Sequence, residues 1–193
     1  MIPNILAITA STRGTETSGK VTNWLMQQAN SYEGLNFTSV KLAELNLPPL
    51  AKAKTDLPLE EKAKVDNWAE MVNKSDGFII IVPEYNHSFP GDLKHALDWL
   101  FPQWFYKPVT FVGYSDGISG GIRAIEQLCQ VSVELHMTPI KEQIQITFVD
   151  EAFEADGTIK DPRKLTQAQK MFNRLEWWAK TLKYGRENFE TKK

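Results

Sequence analysis

One cysteine, Cys129, and three well-separated histidines, His87, His95 and His136, occur in 193 residues. A single thiol excludes an intramolecular disulfide, a CxxC redox pair and a cysteine-built zinc site. The scattered histidines form no metal-ligand motif. Charge of one sign is scarce as well: 22 Lys and Arg against 24 Asp and Glu leave a formal net charge of −2. A nucleic-acid binder carries a clustered basic excess, and an electron carrier that docks through its own field carries a strong acidic one; neither imbalance is present. The longest uninterrupted apolar run, Phe78–Val82, falls far short of the roughly 20 residues that span a bilayer. The start, Met-Ile-Pro-Asn, shows no leader pattern. The expectation is a soluble, cytoplasmic protein without a nucleic-acid or membrane partner. With 42% hydrophobic and 24% charged residues a packed core is available, and residues 1–193 are read as one domain, since domains commonly run to roughly 100–200 residues.

The chain alternates between two hydrophobic periods. Ile5–Ile8 is a short apolar run, and from Ser18 to Asn30 the residues Val21, Trp24, Leu25 and Met26 return at helical spacing, with Ser18 as the N-cap. Phe37–Leu42 reads as a second strand. Pro58-Leu59-Glu60-Glu61 opens a helix with proline and acids in its first turn. Gly77–Val82 is apolar on both faces, as a central parallel strand should be. A helix follows Pro90-Gly91, then a strand at Val109–Val112, a helix from Gly121 to Glu134, a strand at Gln143–Val149 and a helical stripe from Thr166 to Leu182. Five strands alternating with five helices predict a parallel sheet with helices on both faces. Ligands in such sheets bind beyond the carboxyl ends of the strands, which directs attention to the loops 10–19, 83–91 and 113–121.

The first loop, Ser11-Thr12-Arg13-Gly14-Thr15-Glu16-Thr17-Ser18-Gly19-Lys20, joins a strand to a helix and holds hydroxyls, glycines and a cation. Helix N-terminal amides plus hydroxyls and an arginine suit a phosphate monoester; a polar turn with a serine cap is the plainer reading. Gly14-x4-Gly19-Lys20 nearly matches a nucleotide-binding P-loop, but Val21 stands where Ser or Thr should hold magnesium. Gly113-Tyr114-Ser115-Asp116-Gly117 fits the GxSxG nucleophile elbow of serine hydrolases. Only His136 follows it, however, and the nearby acids Glu126 and Glu134 share one helix with each other, a poor arrangement for a triad. The third loop, Pro83-Glu84-Tyr85-Asn86-His87-Ser88-Phe89-Pro90-Gly91, offers a flat aromatic face with amide donors and acceptors, apt for a planar heteroaromatic ring, though Asn, Pro and Gly are common in any turn.

Pro83-Glu84-Tyr85-Asn86-x-Ser88-x-Pro90-Gly91-x-Leu93-Lys94-x-Ala96-Leu97-Asp98-Trp99 resembles the signature of the NAD(P)H-dependent FMN reductase family, which includes quinone, azo-dye and chromate reductases. Ser11-x-Arg13 with Val21 and Trp24 is similar to that family's phosphate loop, Gly120-Gly121 with Arg123-Ala124 to the loop after its fourth strand, and Phe153, Asp156-Gly157 and Asp161 to its ending. The resemblance implies an α/β flavodoxin-like three-layer sandwich with a five-stranded parallel sheet in the order 2-1-3-4-5. By the same resemblance Ser11, Arg13 and Ser18 would hold the FMN phosphate. Pro83, Glu84, Tyr85 and Asn86 would line the isoalloxazine and ribityl chain, and Ser115, Gly117 and Gly120 would close the other side. Glu16 and Asp116 depart from the pattern of some relatives.

FMN would then carry the chemistry, with no catalytic side chain and no metal, and NADPH or NADH as co-substrate. The expected reaction is a ping-pong transfer of two electrons to a small-molecule acceptor: a flavin, quinone, azo compound or oxyanion. His87 could meet the substrate. Arg123 could reach the nicotinamide phosphate or a neighbouring subunit, a surface pair with Glu126 being the simpler expectation. The run Leu97–Tyr106 holds Trp99, Leu100, Phe101, Trp104, Phe105 and Tyr106, a surplus that points to an interface and, with the family's habit, to a homodimer or homotetramer. An electron-transfer flavodoxin and a flavin-bound redox sensor or scaffold with little turnover are the readings that share the same pocket.

Overall fold

In chain order the elements are β1 (Asn4–Thr9), α1 (Glu16–Asn30), β2 (Asn36–Lys41), the one-turn α2 (Leu42–Leu45), α3 (Leu59–Asn73), β3 (Gly77–Pro83) and α4 (Gly91–Asp98). They continue with β4 (Pro108–Tyr114), α5 (Ile122–Glu134), β5 (Thr138–Pro139), β6 (Ile144–Ile146) and α6 (Arg163–Asn188). This is a computed structural model, and it describes residues 2–13 and 16–189. Every strand pairing is parallel, in the order β2-β1-β3-β4-β5, with β6 also on β4.

Alternation along β3 explains the layering. Phe78, Ile80 and Val82 face a core built with Val65 and Trp68 of α3, Leu93 and Leu97 of α4, and Ile125 and Leu128 of α5. Ile79 and Ile81 face a second core with Val21, Trp24 and Leu25 of α1 and Phe172 and Leu175 of α6. Successive side chains of a strand point to opposite faces, so a run apolar at every position is covered on both.

Three readings of the sequence change. The strand expected at Gln143–Val149 is broken. Partners three residues apart on β4, Val109 and Val112, pair with Pro139 and Ile144, five residues apart, so two extra residues bulge out. The buried Thr110 hydroxyl donates to the Glu142 carbonyl at 2.6 Å and closes the gap. The strand stops at Ile146, and Phe148, at φ +45°, turns the chain back over the carboxyl edge. Ser18 is not an N-cap: α1 has already begun at Glu16, and Ser18 is buried within its first turn.

The aromatic run after α4 is mostly internal. Trp104 is fully buried, its ring centroid 5.7 Å from that of Trp68 and 5.0 Å from that of Phe78, and its indole N–H donates to the Leu97 carbonyl at 3.2 Å. Trp99 donates to the Pro48 carbonyl at 2.8 Å, and Leu100 is buried beside it. Of its aromatic residues only Phe101 and Tyr106 stand exposed, with Phe105 half-buried between them.

The amino end of the sheet is closed by charge. The Asp76 carboxylate accepts from the backbone N–H of Asn4 at 3.0 Å, Lys183 Nζ at 2.8 Å and Arg186 at 2.9 Å. Lys107 Nζ, buried beside them, donates to the Val72 carbonyl at 2.7 Å. Burial, aided by Arg186 and opposed by Asp76, lowers the Lys107 pKa to about 8.

Candidate functional site

The opposite, carboxyl end of the sheet is open. A cavity of about 390 Å³ lies there, lined by Arg13 and Thr17 from the first loop and α1, Pro83–Asn86 after β3, Tyr114–Asp116 after β4, and Asp150. Among the described residues the three loops singled out in the sequence do converge.

The third loop is a tight reversal. Tyr85 and Ser88 exchange both backbone hydrogen bonds, at 2.8 and 2.9 Å, and the two residues between them, Asn86 and His87, have φ of +50° and +65°. Two consecutive positive φ values are what a two-residue type I′ turn requires; asparagine tolerates them, histidine does so at a cost. Gln127 of α5 pins this turn: its amide N–H donates to the His87 carbonyl at 2.8 Å, and its carbonyl accepts from Ser88 Oγ at 2.6 Å.

Glu84 couples that turn to α5. Its carboxylate accepts from the Arg123 backbone N–H at 3.1 Å and from the Arg123 guanidinium at 2.7 Å. It therefore serves as a distant cap on the helix N-terminus. Burial pushes the Glu84 pKa up, but the Arg123 side chain and backbone, together with the Ser119 hydroxyl, outweigh it and hold the carboxyl below its ordinary range. The expected Arg123–Glu126 pair is thus replaced by Arg123–Glu84, because tertiary packing brings the less exposed acid to the guanidinium.

Ser115 is spent inside its own loop. Its hydroxyl donates to the Gly117 carbonyl at 3.0 Å, lies 2.9 Å from Ser119 Oγ, and accepts the Gly120 N–H at 2.9 Å. His136 sits at the far, amino end of β4, stacked on Phe105 with ring centroids 4.3 Å apart, and its carbonyl accepts the Tyr106 N–H. Sheet length separates this histidine from the serine, so the GxSxG pattern builds no triad. Gly121, at φ +86°, packs so closely that a Cβ there would lie 2.5 Å from the Tyr114 N.

In the first loop, Ser11 Oγ lies 3.2 Å from Tyr85 Oη, and the Arg13 guanidinium sits 4.2 Å from the Tyr85 ring centroid. Glu16 faces solvent and pairs with Lys20 at 2.8 Å within α1, so its departure from the family pattern leaves the cavity untouched. Gly14 and Thr15 lie outside the described residues, and with them the P-loop-like spacing. Of the residues predicted from the sequence, Arg13, Pro83, Glu84, Tyr85, Asn86 and Ser115 line the cavity. Ser11 and Ser18 lie just beneath it, against Tyr85 and Tyr114. Gly117 and Gly120 shape the fourth loop, while His87 and Arg123 are exposed and do not line the cavity.

Thr17, Tyr114, Asp150 and Gln127 were missed. Asp150 comes from the fifth-strand turn, where it accepts from Thr17 Oγ1 at 2.9 Å. Tyr114 carried a signal, a polar aromatic ending an apolar strand, that was read only as part of an elbow. Its hydroxyl is buried and makes no hydrogen bond among the described residues. Burial, with Tyr85 next in weight, pushes its pKa up. The Ser11 and Ser18 hydroxyls are close enough to temper that rise, yet neither meets Tyr114 Oη at hydrogen-bonding geometry.

Among the described residues no helix is long and apolar enough to cross a membrane, and no three His, Cys, Asp or Glu side chains are placed to hold a metal ion.

The sequence profile described as NADPH-dependent FMN reductase matches residues 3–151. An NAD(P)H-dependent FMN reductase of Pseudomonas aeruginosa is 30% identical over 150 residues, 75% of this chain and 80% of its own. A quinone reductase of Escherichia coli is 43% identical over 75 residues, 37% of this chain and 40% of its own. The solved structure of FerB, a flavoenzyme NAD(P)H:(acceptor) oxidoreductase of Paracoccus denitrificans, superposes with a TM-score of 0.74 at 23% identity, covering 93% of this chain and 98% of that one. The last shows the shared flavodoxin-like fold; the first two carry the ancestry. The chain belongs to the NADPH-dependent FMN reductase family, oxidoreductases that work with FMN and NAD(P)H.

Proposed function

We propose that this protein holds FMN across its three strand-end loops and moves two electrons from NAD(P)H to a small-molecule acceptor in a ping-pong sequence. The observation that carries this is the cavity lined jointly by Arg13, Pro83–Asn86 and Tyr114–Asp116. Its donor set fits a phosphorylated flavin: hydroxyls and a guanidinium at one end, a buried phenol without a partner, and the Asn86 and Asp116 backbone N–H groups without partners among the described residues. Bound FMN supplies hydride chemistry, from reduced nicotinamide to a quinone, azo compound, free flavin or oxyanion.

The chain's own residues bind and orient. Ser11, Arg13 and Ser18 hold the phosphate. Pro83, Glu84, Tyr85 and Asn86 line the ring chiefly through backbone groups, and the Asn86 N–H stabilises negative charge developing there. Ser115 keeps the fourth loop closed around Gly117 and Gly120. His87 and Arg123, exposed outside the cavity lining, meet the arriving co-substrate and acceptor. The exposed Phe101 and Tyr106, with half-buried Phe105, are the surface on which a homodimer or homotetramer would form.

Titration with FMN followed by steady-state turnover of NADPH with a quinone tests the proposal. Saturable FMN binding and parallel double-reciprocal lines are expected; intersecting lines, or a folded protein without affinity for FMN, would overturn it.

A further inference from the structure

Tyr114 is set apart by its chemistry. It is 4% exposed, ends β4 on the α1 side of the sheet, lines the cavity, and keeps a phenol O–H that donates to nothing. An orphaned buried donor costs the fold roughly the desolvation of the group, so a protein that retains one has a use for it or tolerates a defect. The surroundings separate those cases. Among the described residues two further buried side-chain atoms lack partners, Trp24 Nε1 and Gln167 Oε1, and neither residue lines the cavity. Tyr114 Oη instead lies beside the Ser11 and Ser18 hydroxyls and close to Tyr85, whose own hydroxyl is 3.2 Å from Ser11 Oγ. Four hydroxyls and the Arg13 guanidinium therefore meet at one corner, at the start of α1, where a helix N-terminus favours negative charge. No carboxylate hydrogen-bonds to the Ser11, Tyr85 or Tyr114 hydroxyl among the described residues, although Asp116 lies near enough to add to the rise of the Tyr114 pKa.

We propose that the Tyr114 phenol donates a hydrogen bond to the phosphate of the bound flavin, completing a corner built by Ser11, Ser18 and Arg13 and so setting the preference for FMN over riboflavin. This rests on the reading of the cavity as the FMN site and adds a ligand from the end of β4, outside the first loop. The phenol suits the role. Its raised pKa keeps it protonated, hence a donor, across the working pH range. Because it is already desolvated in the ligand-free chain, bonding to an anion brings the gain of a charged hydrogen bond without a further loss of hydration.

The test compares wild type with Tyr114→Phe in three measurements: FMN affinity, riboflavin affinity, and thermal stability of the flavin-free protein. The expected result is an FMN Kd raised about tenfold or more, a riboflavin Kd unchanged, and flavin-free melting at the same or a higher temperature, since the substitution removes an unsatisfied group. Equal weakening toward both flavins, no weakening toward either, or a lowered flavin-free melting temperature would each overturn the assignment. If wild type itself binds neither flavin, the FMN reading has failed instead. If wild type binds FMN and riboflavin equally, that reading stands and the phosphate corner does not.

Discussion

The two ends of one parallel sheet are built on opposite rules. At the amino end Asp76 is satisfied from three sides, by Asn4, Lys183 and Arg186, and even the buried Lys107 finds a carbonyl. At the carboxyl end Tyr114 Oη is unpaired among the described residues, two consecutive residues hold positive φ, and three loops line a cavity. A buried polar group left without a partner costs about 1–3 kcal/mol. Among the described residues Tyr114 is the buried side chain without a partner that lines the cavity, whereas Trp24 Nε1 and Gln167 Oε1 lack partners away from it. The amino end is built for stability and the carboxyl end carries the proposed site, and substitutions should separate the two.

The largest effect is expected at the satisfied end. Asp76→Ala leaves Lys183, Arg186 and Lys107 crowded together without their counter-charge and should destabilise the fold by about 3 kcal/mol, read as a lower urea midpoint, with FMN affinity of the folded protein unchanged. Loss of FMN affinity in parallel would show that the ends are not independent.

A smaller, pH-dependent effect belongs to Lys107. The folded chain releases its proton at about 8, the unfolded chain near 10.5. Between those values the unfolded state holds more protons, so stability climbs with pH. Lys107→Met should flatten that rise relative to wild type in denaturation series at pH 7, 8 and 9.5 (about two units across the transition); an identical slope in both proteins would place the titration elsewhere.

At the open end the sign reverses, because strain there can be relieved. His87→Gly removes a side chain held at φ +65° and should stabilise the fold by about 1 kcal/mol, seen as a higher melting temperature, while leaving FMN affinity intact and shifting at most the acceptor KM. A destabilised variant would mean that the imidazole makes a contact worth more than the turn strain.

Legibility followed the range of the interaction. Periodicity located β1, β3 and β4 to within two residues, because a strand covered on both faces must be apolar throughout. The proline and acids opening α3 are local signals and read correctly. The fifth strand did not, since its break depends on where Thr110 reaches the Glu142 carbonyl across the sheet. The aromatic run after α4 looked like surplus because its partners, Trp68 and Phe78, lie far back in the chain.

Of the residues announced by motif, Arg13, Pro83–Asn86 and Ser115 line the cavity. Asp150 and Gln127 belong to no motif and gained a role only by contact. Arg123 chose Glu84 over its helical neighbour Glu126 for the same reason.

Composition and hydrophobic period by themselves determined that this chain forms a parallel sheet covered on two faces, and its loop motifs determined which family it joins, since both are properties of near neighbours along the backbone. Which carboxylate meets which cation, where the outer strand bulges, and which buried phenol is left without a partner at the cavity were decided only when distant segments packed together. A hydrogen bond needs its partner within about 3 Å, and no linear pattern specifies that for residues a hundred positions apart.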